Sequence, residues 1–226
     1  VDERVAARKP RNLSHEEAAS IPLVGLTAWD ALVVKGRLKR GDRALIHAGS
    51  GGVGTFAIQL AKDLGAEVAT TCSEANAELV LGLGADRHVD YRAEKFEEVL
   101  EKQDFVLDAL GGETRDRSLK ALKRGGHLST MIGGFPAATK KYGVVLGAPI
   151  AVGQLASVTL RGWARGVGVH HVLRESSGEL LAQITRRIEA GAIRAVIDRT
   201  FPLEEVAAAH AYSETGRARG KIVISL

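Results

Sequence analysis

Apolar positions along the chain switch repeatedly between a strand-like and a helix-like period. Ala44, Leu45 and Ile46 form a short continuous apolar run, the pattern of a strand buried on both faces. Beyond them Phe56, Ala57, Leu60 and Ala61 recur at helical spacing. The alternation continues with a strand at 67–72, a helix at about 74–83, a short strand at 87–89, a buried strand at 105–109, a helix at 113–122, and strands at 127–132 and 158–161. Such an order predicts an α/β fold, a parallel sheet covered by helices on both faces. In front of it, Ser14 and Glu17 stand at capping-box spacing, so a helix starts at Ser14 and a second follows at about 25–35. Behind it come a helix at 178–190, a strand at 196–201, a helix at 203–212 and a strand at 221–225.

Between the first strand and its helix the chain reads HAGSGGVG, with Gly49, Gly51 and Gly54 at G-x-G-x-x-G spacing. Each glycine has a physical reason. Gly49 lets the chain leave the strand in a tight turn, Gly51 lets the backbone approach a pyrophosphate, and Gly54 lets the helix pack closely on the strand. The first amides of the helix have no intrahelical partner and carry the positive end of the helix dipole, so an anion satisfies both. The turn is therefore the phosphate-binding corner of a dinucleotide fold.

Composition narrows the class. With 226 residues, 45% hydrophobic and 4% aromatic, the chain has an Ala/Val/Leu-rich core of the size an α/β domain needs. No long uncharged apolar window appears and the opening VDERVAARKP is charged, so neither a membrane span nor a secretory signal is visible and the expected compartment is the cytoplasm. One cysteine, Cys72, excludes an intrachain disulfide and a multi-cysteine zinc lobe. The net charge of +4 comes from scattered residues, and the densest group (Arg217, Arg219, Lys221) lacks interleaved aromatics, which argues against nucleic acid as the primary partner. A positive pocket for an anionic cofactor accounts for the surplus. No G-x-S-x-G elbow or Ser/His/Asp arrangement supports hydrolase chemistry.

The segments EEAASIPLVGLTAWDAL, HAGSGGVGTFAIQLAK, LGADRHVDYR, LDALGG and GRARGKIVISL, in that order, resemble the medium-chain dehydrogenase/reductase superfamily, most closely its zinc-free quinone-oxidoreductase branch. The resemblance implies a doubly wound Rossmann domain together with C-terminal elements of a GroES-like catalytic domain. On that basis 1–20 is the junction with the catalytic domain and 21–160 the NAD(P)-binding domain. Residues 161–195 complete that domain, and 196–226 return to the catalytic domain. About a hundred residues of catalytic domain are then missing from this chain, a size typical of a small domain. No catalytic residue is named for that reason, and strands near Val196 and Ile222 are expected to lose their sheet partners. Zinc-dependent relatives have a cysteine where this chain has Val24, which offers no donor atom. Adjacent His170 and His171 point to opposite faces if extended, so no metal is expected.

Cofactor choice follows from the end of the second strand. NAD-preferring sites place a carboxylate there, whereas this chain offers Thr71, Cys72 and Ser73. Ser73, Asn76 and Tyr91 match positions where NADPH-binding relatives contact the extra phosphate, although Glu74 adds a carboxylate close by. Arg217 and Arg219 match a C-terminal segment that approaches the cofactor and supplies positive charge. NADPH is thus favoured over NADH. By the same resemblance Ser50, Gly51, Gly52 and Val53 line the pyrophosphate and ribose, and Thr27 lies at the nicotinamide end. Asp108 and Gly111, like Ile132 and Gly133, follow strands where ligands of open parallel sheets collect. The implied activity is hydride transfer to a quinone or activated enone by a homodimer. An enoyl-thioester reductase, alone or within a larger synthase, and a non-catalytic NADPH-binding module are the competing readings.

Overall fold

Strands β1 (Arg43–Ile46), β2 (Glu67–Cys72), β3 (Arg87–Asp90), β4 (Gln103–Asp108), β5 (Leu122–Met131) and β6 (Gly168–Val172) form one parallel sheet in the order β3-β2-β1-β4-β5-β6. The computed structural model describes residues 2–131 and 134–226, with the backbone alone for 134–142, 145 and 146. Period-two alternation divides the strand side chains between two apolar layers. Ala44, Ile46, Val68, Phe105 and Leu107 face one, and Leu45, Ala69, Val106 and Leu128 face the other. The helices that cover these layers are α1 (His15–Ala19), α2 (Pro22–Trp29), α3 (Gly52–Asp63), α4 (Ala77–Gly82), α5 (Phe96–Val99), α6 (Gly112–Ala121), α7 (Gly134–Ala164, broken by a kink at Gly143) and α8 (Gly178–Glu189). Helices α2, α3 and α8 close the first layer, while α5, α6 and α7 close the second. This is the doubly wound α/β (Rossmann) fold, whose strand order reverses at β1, between β2 and β4.

Local chemistry sets the element ends. Ser14 Oγ accepts the Glu17 N–H at 3.1 Å while Glu17 Oε2 accepts the Ser14 N–H at 2.8 Å, the reciprocal cap read from the sequence. Helix α2 begins at Pro22 and then winds more loosely over Asp30–Lys35, where the Gly36 N–H reaches Ala31 O at 2.9 Å. At Gly25 a side chain would press on Ile184 and Phe56, 3.1 and 3.3 Å away, so the missing Cβ lets α2 lie close on α3 and α8.

The strand expected at 158–161 is a helix instead. Ala151, Leu155, Val158 and Gly162 turn inward at four-, three- and four-residue intervals, the period of α7. A Cβ at Gly162 would stand 2.3 Å from Val169 Cγ2, which lets α7 rest directly on β6. Strand β6 lies further along and carries His170 and His171. They do face opposite ways, His170 toward His127 (3.0 Å) and His171 toward Thr159 (3.1 Å).

Beyond α8, β7 (Ile197–Pro202) and β8 (Lys221–Ser225) pair with each other in parallel, joined through α9 (Val206–Glu214). They are thus each other's partners, where the sequence reading left both strands unpaired. Among the described residues they pair with no strand of the larger sheet. The link runs through backbone, for Gly220 N–H donates to Ser50 O at 2.8 Å and Gly220 forms a parallel bridge with Gly51. Among the described residues no helix is long and apolar enough to cross a membrane.

Candidate functional site

The turn between β1 and α3 is built by close approach. Gly54 packs where a Cβ would stand 2.3 Å from Ala48 O, and Gly49 where it would stand 2.0 Å from Thr70 Oγ1. The residue that takes the left-handed conformation is Ala48 (φ 53°) rather than Gly49, which differs from the role the spacing assigns to that glycine. Gly49 N–H is tied to Thr71 O at 3.0 Å, so the turn is pinned to the end of β2. Helix α3 starts at an extended Gly51 with no side-chain cap, which leaves its first amides directed outward.

A cleft of about 700 Å³ opens beside this turn at the carboxyl ends of β1 to β4. It brings together Ser50, Ser73, Asn76, Tyr91, Arg217 and Arg219 from the sequence-selected residues. Asn76 Nδ2 donates to Ser50 Oγ at 3.0 Å, which ties the short turn after β2 to the glycine turn, and its buried Oδ1 has no hydrogen-bond partner among the described residues. Tyr91 is 58% exposed, available to a ligand rather than used by the core. Arg92 joins the lining and was missed in the sequence, although it directly follows Tyr91 at a strand end, the signal used for other residues.

Other selected residues serve the frame. Asp108 is fully buried and its carboxylate accepts the Leu110 and Gly111 N–H groups (3.0 and 2.8 Å) and the Thr130 hydroxyl (2.7 Å), so it shapes the turn after β4. That turn carries Gly111 (φ 69°) into α6 and presents Leu110 to the cleft. Thr27 lies inside α2 with its hydroxyl donating to Leu23 O at 2.7 Å, outside the lining. Gly51, Gly52 and Val53 form the start of α3, with Lys221 and Gly220 against Gly52. Ile132 and Gly133 lie outside the described residues.

The electrostatics are asymmetric. Three guanidinium groups, Arg92, Arg217 and Arg219, border the cleft. Burial, then the carboxylates of Asp90 and Glu74, pushes the Cys72 thiol up to about 11, so this wall carries a protonated thiol. Beneath the turn His47 is buried, with Nδ1 3.0 Å from Thr71 Oγ1 and Nε2 2.9 Å from Ser118 Oγ. Ser118 spends its only hydrogen on Thr114 O (2.7 Å), so His47 Nε2 is the donor and Nδ1 accepts from Thr71. Burial lowers this imidazole to about 4, against the opposing pull of Asp108.

An extended dinucleotide fits this arrangement: uncapped helix amides for the diphosphate, the Arg217 and Arg219 segment tied to the same turn, and Arg92 on the β3 side of the cleft. Among the described residues no three His, Cys, Asp or Glu side chains converge, and the sole cysteine is buried.

The family described as zinc-binding dehydrogenase matches residues 83–224. The chain is 40% identical to the NAD(P)H oxidoreductase RTN4IP1, mitochondrial, of Danio rerio over 97% of its own length and 59% of that protein. It is 34% identical to the NADPH-dependent alkenal/one oxidoreductase, chloroplastic, of Arabidopsis thaliana over 99% of its length and 50% of that protein. Among solved structures, the quinone oxidoreductase from Coxiella burnetii superposes with a TM-score of 0.83 at 32% identity, covering 97% of this chain and 63% of that one. The chain thus spans between half and two thirds of the length of each.

Proposed function

Since the chain belongs to the zinc-binding dehydrogenase family of the medium-chain dehydrogenase/reductase superfamily, we propose that it is the cofactor-binding part of a cytoplasmic, zinc-independent, NADPH-dependent oxidoreductase acting on a quinone or an activated enone. One observation carries this reading. The glycine turn, the residues that end β2 (Thr71, Cys72 and Ser73, none of them a carboxylate) and three guanidinium groups share a single cleft at the point where the sheet order reverses. The names of the relatives support the reaction class, one of them printing NADPH and alkenal/one and another quinone.

Bound NADPH supplies the hydride. The chain's own residues bind and hold. The first amides of α3 and Ser50 would take the diphosphate, Asn76 holds Ser50 in place, and Ser73 and Tyr91 would donate hydroxyl hydrogen bonds without adding negative charge. Asp108 fixes the loop that closes the cleft after β4. What remains for catalysis is positioning of donor and acceptor and exclusion of water, which needs neither a metal nor a nucleophile.

Titration calorimetry of the purified protein with NADPH and NADH tests the reading, followed by nicotinamide absorbance with a quinone and with an alkenal. Tighter binding of NADPH is expected. Ser73→Asp places a carboxylate beside the phosphate and is expected to weaken NADPH about tenfold while leaving NADH nearly unchanged. Failure to bind either cofactor overturns the proposal.

A further inference from the structure

The three guanidinium groups of the cleft do not have equivalent anchors. Arg217 and Arg219 belong to the segment that leads into Gly220, and Gly220 is hydrogen-bonded to Ser50 at the glycine turn itself. They are therefore moored at the diphosphate end, which NADH and NADPH share. Arg92 is moored elsewhere. It follows β3, two strands away from β1 in the sheet, with its backbone N–H on Asp90 Oδ1 at 3.0 Å and its guanidinium 5.5 Å from the centre of the Tyr91 ring. That stacking limits the rotamers of a long side chain and so reduces the ordering cost of binding. Among the described residues none of the three has a carboxylate within ion-pair distance. Glu74, near the same wall, sits 3.8 Å from His88 instead.

Resting on the NADPH reading above, we infer that Arg92 is the residue that selects the phosphorylated cofactor, by pairing with the adenosine 2′-phosphate from the β3 side. Arg217 and Arg219 serve the diphosphate of either cofactor. A phosphate beside Arg92 relieves the mutual repulsion of three cations around one cleft, whereas a ribose hydroxyl at that point leaves the repulsion in place. Ser73 and Tyr91 add donors without charge and so discriminate less.

The test is calorimetric binding of NADPH and NADH to the wild-type protein and to Arg92→Ala, Arg92→Lys and Arg219→Ala. Loss of one charge-assisted contact at an exposed site predicts about tenfold weaker NADPH binding in Arg92→Ala with NADH unchanged, partial recovery in Arg92→Lys, and a similar loss for both cofactors in Arg219→Ala. Added salt is expected to weaken NADPH more steeply than NADH in the wild type, with the two slopes converging in Arg92→Ala. Unchanged NADPH affinity in Arg92→Ala, or equal losses for both cofactors, overturns the assignment of Arg92 while the wild-type preference keeps the NADPH reading alive. A wild-type protein that binds both cofactors equally overturns that reading and the role of Arg92 with it.

Discussion

His47 ties the glycine turn to two neighbouring elements and does so only while neutral. Its ring touches Thr71 on β2, Ser118 on α6 and the edge of Phe96 on α5, 4.6 Å between centroids. Protonation would put a second N–H opposite Thr71 in a dry site. With the folded imidazole near 4 and the ordinary value at 6.5, the unfolded chain binds the extra proton first as pH falls. The contribution of His47 is thus complete above pH 6.5 and lost progressively between 6.5 and 4, on the order of 3 kcal/mol in full. Denaturant midpoints measured across this range should fall in the wild type, and His47→Asn should flatten that part of the curve. A parallel curve in the variant would show that other groups carry the dependence. At the same scale Arg117 pairs with Glu97 through two short contacts (2.6 and 2.7 Å) and lies over Phe96, holding the carboxyl below its usual range and the ring against His47.

Among the elements, the tail that returns to the cleft depends on one glycine. Gly220 has φ 92°, and a Cβ there would stand 2.4 Å from Val196 O. Gly220→Ala should cost about 1–3 kcal/mol from strain and overpacking, seen as a lower denaturant midpoint, and should speed amide exchange at Ser50 and Gly51. Unchanged exchange there would mean that the bridge to the turn survives without the glycine. Which elements the sequence reveals depends on whether their causes are local. The β1–α3 unit is legible because a buried run, three spaced glycines and a helical stripe lie side by side; the Ser14 cap is legible for the same reason. Strand β6 is hidden because two of its five residues are histidines, one on each face, while the apolar residues just before it belong to α7. Arg92 gains its meaning from neighbours remote in sequence, Ser73 and the tail, and the left-handed Ala48 from the close packing of Gly54 within the same turn, which the glycine spacing alone does not assign to it. Asp108 is visible as a strand-end carboxylate, but its three donors are not, so its structural use emerges only from the fold.

For the molecule as a whole, a ligand that joins the sheet to the tail should stabilise both. At a concentration about one hundred times its Kd, a cofactor that binds only the folded state adds about 2.7 kcal/mol. For a chain of this size that corresponds to a rise in Tm of about 5–10 °C in a thermal melt, and absence of any rise with NADPH would contradict binding in this cleft. The bridge between Gly51 and Gly220 also has a consequence for the order of events during synthesis. The first strand, its turn and its helix leave the ribosome before the other strands of the sheet and have every local reason to form. Their backbone partner at Gly220 emerges only after the whole sheet has been made. The turn is therefore made before its latch, and the cleft gains the Gly220 contact only once the chain has passed through the whole sheet.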